Sequence, residues 1–62
     1  MIEKEVVEKA YIYHCLNVAN YYMEATGKKE SIITDEILDY FDKHYDKLSD
    51  SLRFSIDWLR GH

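Results

Sequence analysis

The chain has 62 residues, with twelve acidic and eight basic side chains (formal charge −4), 47% hydrophobic and 15% aromatic content, and one cysteine. An intrachain disulfide is excluded, the apolar share excludes a disordered composition, and the acidic balance disfavours nucleic acid, since phosphate-binding surfaces normally carry a basic excess. A chain this short buries only about 60% of the surface its unfolded form exposes, so extra stabilisation is expected from self-association or a bound partner.

The first element is a helix predicted over about 2–26, because the run from Ile2 to Ala25 contains no Gly or Pro and ends at Thr26-Gly27. Plotted at about 100° per residue, Val7, Tyr11, Ile12, His14, Cys15, Leu16, Val18, Ala19, Tyr22, Met23 and Ala25 fill an arc of roughly 200°. A helix that covers one neighbour needs an apolar stripe only a little over ~100° wide. This helix therefore needs cover from two sides. From Tyr13 onward, only Tyr13, Asn17, Asn20 and Glu24 clearly face the other way. Gly27 suits the left-handed position after the helix end, with Lys28 and Lys29 beside its negative pole. The start has no obvious cap, although Glu3 and Glu5 favour the positive pole.

After an extended connection through Ile33, Thr34 is a good N-cap, Asp35 and Glu36 occupy the first turn, and Ile33 can staple onto Leu38. A second helix is predicted over about 34–48, with Ile37, Phe41, Tyr45 and Leu48 on its apolar side. Its opposite side carries Asp35, Asp39, Asp42 and Asp46 within about 60°. Ser49 reads as the cap of a third helix over about 50–60. The apolar stripe nevertheless continues in phase through Leu52, Ile56 and Leu59, so one unbroken helix would instead give a hairpin that dimerises into a four-helix bundle. The three-helix reading is preferred because Ser-Asp-Ser favours caps over helix interiors. The expected fold is an all-α single domain over 1–62, a small three-helix bundle with a long first helix. In the third helix Phe54 and Trp58 lie on the side of the main stripe, while Arg53 and Arg60 flank Asp57 on a solvated side.

Four aspartates in one row repel each other. They read as a solvated face or as a docking surface for a basic partner; an EF-hand would need alternating oxygen ligands around a central Gly in a loop. His14 and Cys15 are neighbours on a helix, about 100° apart, and cannot chelate one ion together. Further zinc ligands would have to come from His44, His62 or the acids, so Cys15 is expected to pack as a small hydrophobe beside a boundary His14. Tyr11, Tyr22 and Tyr45 are candidates for the core or for an interface. Tyr13 and much of Tyr21 would be exposed in a monomer, and exposed aromatics near one another suggest contact with another chain.

No general base, nucleophile and orienting group can be placed together, and neither a cofactor nor a metal is expected. The reading is a non-catalytic protein–protein interaction module, an inhibitor or adaptor that binds another protein and self-associates. Asp35, Asp39, Asp42, Asp46, Tyr13 and Tyr21 are the candidate contacts. The alternative is a dimeric nucleic-acid-binding regulator using Lys28, Lys29, Arg53 and Arg60. No stretch approaches the ~20 apolar residues that span a bilayer, the charged start resembles no signal peptide, and a cytoplasmic location is expected.

Overall fold

A computed structural model of the chain describes residues 3–61. In chain order it contains α1 (Lys4–Thr26), α2 (Asp35–Asp42), a 3₁₀ turn (Tyr45–Lys47) and α3 (Asp50–Gly61). These form an all-α three-helix bundle, 37 × 24 × 17 Å in extent, with no strand among the described residues. The expected start of the first helix at Ile2 lies outside those residues.

The helix ends follow from their local chemistry. Gly27 adopts φ 75°, and its N–H donates to the Met23 carbonyl at 2.7 Å. That left-handed geometry is costly for a residue with a Cβ and routine for glycine. Thr34 caps α2, its hydroxyl accepting from the Ile37 N–H at 3.4 Å. Ser49 caps α3 by accepting from the Leu52 N–H at 3.2 Å.

The second helix is shorter than its sequence pattern predicts. It stops at Asp42 instead of Leu48, passes through His44 and the 3₁₀ turn, and becomes extended at Leu48. The unbroken helix of the hairpin alternative is therefore not formed. Packing explains the break. Along one straight helix Leu52 would lie about 16 Å beyond Phe41, out of reach of a common cluster. With the chain turned back, Phe41, Leu52 and Ile56 join Val18, Ile37 and Leu38 in one core, with Tyr21, Tyr22, Ile33, Leu48 and Leu59 packed around it. The closest helix pairing is between α1 and α3.

Candidate functional site

Two sides of α1 differ in what they can do. Its inner side meets α3 through a polar seam. His14 Nδ1 lies 2.8 Å from Ser55 Oγ, and Asn17 Nδ2 donates to the Ser55 hydroxyl at 2.8 Å and to that of Ser51 at 3.2 Å. His14 and Asn17 stand three residues apart and Ser51 and Ser55 four apart, so each pair shares a helix face and the two faces mesh. Burial of a polar group is costly unless it is hydrogen-bonded, and no buried side-chain nitrogen or oxygen among the described residues lacks a partner. The Ser–His pair is closed to substrate, since Ser55 is only 1% exposed. It acts as a clamp between helices.

The expected order of burial at His14 and Cys15 is reversed. His14 is buried and Cys15 is half-buried, because the serines opposite are small enough to admit an imidazole and supply its hydrogen bond. The ring also packs near Trp58 (4.8 Å), Phe54 (5.5 Å) and Tyr13 (5.1 Å between centroids). Cys15 lies beside Tyr11 and raises that phenol above its usual pKa, first by charge and then by hydrogen bonding. Among the described residues no three His, Cys, Asp or Glu side chains gather into a metal site; His62 lies outside them.

The outer side of α1 is apolar and open. Ile12, Leu16 and Met23 are exposed there, Leu16 to 60%, and Ala19 between them is half-buried. The connection after α1 runs back along this side. Ser31, Ile32 and Ile33 join Tyr11, Ile12, Cys15 and Leu16 around one shallow depression. Lys29 and Glu30 join Leu16, Ala19, Asn20 and Met23 around the next. Ile32 itself is 71% exposed.

The six residues singled out from sequence are dispersed. Tyr13 is 61% exposed and its ring meets His14, which also meets the exposed Phe54, while Tyr21 packs elsewhere. Phe54 thus leaves the main stripe expected to hold it. Tyr21 packs against the core and accepts a hydrogen bond from the Ser49 hydroxyl at 3.1 Å. The four-aspartate row is split by the end of α2: Asp35, Asp39 and Asp42 lie on the helix, and Asp46 lies in the 3₁₀ turn. Arg60 bridges Asp39, at 3.5 Å, and Asp42, relieving repulsion between them. Arg53 pairs with Asp50, leaving Asp57 to accept from the Tyr45 hydroxyl at 2.6 Å. That bond holds the Tyr45 phenol above its usual pKa.

The polar seam and the outer stripe both lie outside the six predicted contacts. The seam had a legible signal in two small serines one turn apart on a helix that otherwise presents Leu52 and Ile56. The stripe's signal was the excess apolar arc of the first helix. Compared with family models, curated proteins and solved structures, the chain matches none.

Proposed function

We infer that this chain is a non-catalytic protein–protein interaction module, an adaptor or inhibitor that works by binding another protein chain. The observation that carries this reading is that Ile12 and Leu16, large apolar side chains one turn apart on the outer side of α1, are each more than half exposed, beside the exposed Tyr11. Contiguous exposed apolar surface of this kind marks interaction sites. Its aromatic and aliphatic anchors are the residue types that carry binding energy once desolvated.

The acidic row supports a secondary role, because a basic partner would meet Asp39 and Asp42 already shared with Arg60. Pairing of Arg53 and Arg60 with carboxylates also favours protein over nucleic acid as partner. Among the described residues no helix is long and apolar enough to cross a membrane. The test is retention of a lysate protein by the immobilised chain, with Leu16→Asp expected to abolish it. Binding of nucleic acid that weakens steeply from low to moderate salt, with no protein retained, would replace this reading with the regulator.

A further inference from the structure

We propose that the outer face of α1 is occupied by a second copy of this chain, packed antiparallel along the same stripe. The proposal rests on the interaction-module reading and names the partner for its central face. Three observations support it.

The first is spacing. Ile12, Leu16, Ala19 and Met23 recur at intervals of four, three and four, the apolar repeat by which two helices interlock side chains. This sequence of intervals reads the same in either direction, so a two-fold axis between residues 17 and 18 superposes the stripe on itself. Such isologous, self-complementary contacts are the commonest in homo-oligomers.

The second is size. Under that axis Leu16 meets Ala19 of the other copy and Ile12 meets Met23, so the small side chain admits the large one. A parallel arrangement would set Leu16 against Leu16 and leave Ala19 facing Ala19.

Charge supplies the third. The α1 start carries Glu3, Glu5 and Glu8 against Lys4 and Lys9, with Lys4 4.0 Å from Glu8, and so stays net acidic, while Lys28 and Lys29, followed by Glu30, come after its end. Lys29 lies on the stripe side, beside Leu16, Ala19 and Met23. Antiparallel packing brings the acidic end of each helix to the lysine corner of the other. Parallel packing would oppose acid with acid and lysine with lysine.

The experiment combines sedimentation with disulfide mapping, in a Cys15→Ser background that removes the native thiol. The unmodified chain is expected to sediment as a dimer. Leu16→Asp should weaken dimerisation by roughly a hundredfold or more while keeping the helical circular dichroism signal, because Leu16 is outside the core. Ile12→Lys is the second variant and should act alike. On oxidation, a mixture of Ile12→Cys and Met23→Cys chains should form the mixed disulfide in preference to either symmetric one. Preferential Ile12→Cys self-coupling would overturn the antiparallel register. A dimer indifferent to both Leu16→Asp and Ile12→Lys would overturn the face. A monomer at all concentrations would overturn self-association, and lysate retention would then decide the broader reading: retention lost in Leu16→Asp keeps the module with a different partner, and no Leu16-dependent retention removes both.

Discussion

On its inner side α1 seals His14 and Val18 beneath the rest of the bundle, whereas on its outer side Ile12 and Leu16 stand open beside the connection through Ile32. Apolar character does not separate the two sides; the inner one even carries the more polar residues, His14 and Asn17. The difference lies in where the following elements pack: among the described residues α2 and α3 both close one core on the inner side. The inner side shows what covering such a face involves: tight apolar contact together with complete hydrogen bonding of the polar groups enclosed among the described residues.

The sharpest contrast is expected from truncating each side. Ile56→Ala, in the fully buried cluster, should cost about 2–5 kcal/mol. A core of this size supplies ~3–5 kcal/mol in total, so thermal unfolding followed by circular dichroism should find that variant largely unfolded. Leu16→Asp should leave the intrinsic stability of a single copy within about 0.5 kcal/mol. Equal losses in dilute samples would break the distinction between core and surface.

The polar seam should come next. Ser55→Ala removes the hydroxyl shared by His14 and Asn17, and denaturant unfolding should register a loss of about 1–3 kcal/mol. A neutral result would mean that the seam contributes geometry without stability.

A smaller effect is expected at the acidic row. Reversing Asp39 and Asp42 to Lys sets like charges against Arg60, where exposed pairs are worth at most about 1 kcal/mol each. Melting temperature should fall slightly at low salt and recover as salt screens the repulsion. On sequence alone the same double reversal would leave the melting temperature unchanged, because the arginine is contributed by another helix.

The smallest effect concerns Tyr45. Its phenol is raised above the usual value near 10 by the hydrogen bond to Asp57. A folded-state pKa above the unfolded one means that the contribution is complete below the unfolded value and disappears as pH rises through the folded one. Absorbance titration should find two tyrosines, Tyr11 and Tyr45, ionising late, and Tyr45→Phe should remove one of them. An unchanged late phase in Tyr45→Phe would contradict the hydrogen bond to Asp57.

Much of the fold was legible because it is written in local chemistry: Gly27, Thr34 and Ser49 each take the end position expected of them. The break between Asp42 and Leu48 was not, since no Gly or Pro marks it and the apolar phase runs through it. Only the reach of Leu52 and Ile56 toward Val18 and Phe41 decides it, and that is a tertiary effect. The same holds at the site. The apolar arc of α1 announced surplus surface, but composition does not say which part of the arc α3 covers. Tyr21 was expected to stand largely exposed, without the Ser49 hydroxyl that donates to it, and Phe54 was placed on the side of the main stripe although the serines of its own helix hold that ground. The Asp39–Arg60–Asp42 bridge joins residues too far apart in the chain for helical spacing to predict.

The most direct test of the uncovered side is the dependence of melting temperature on protein concentration. If a second copy completes α1, the melting temperature of the unmodified chain should rise by roughly 5 °C or more over about a hundredfold increase in concentration, and Leu16→Asp should not respond. A melting temperature independent of concentration in both proteins would contradict the account.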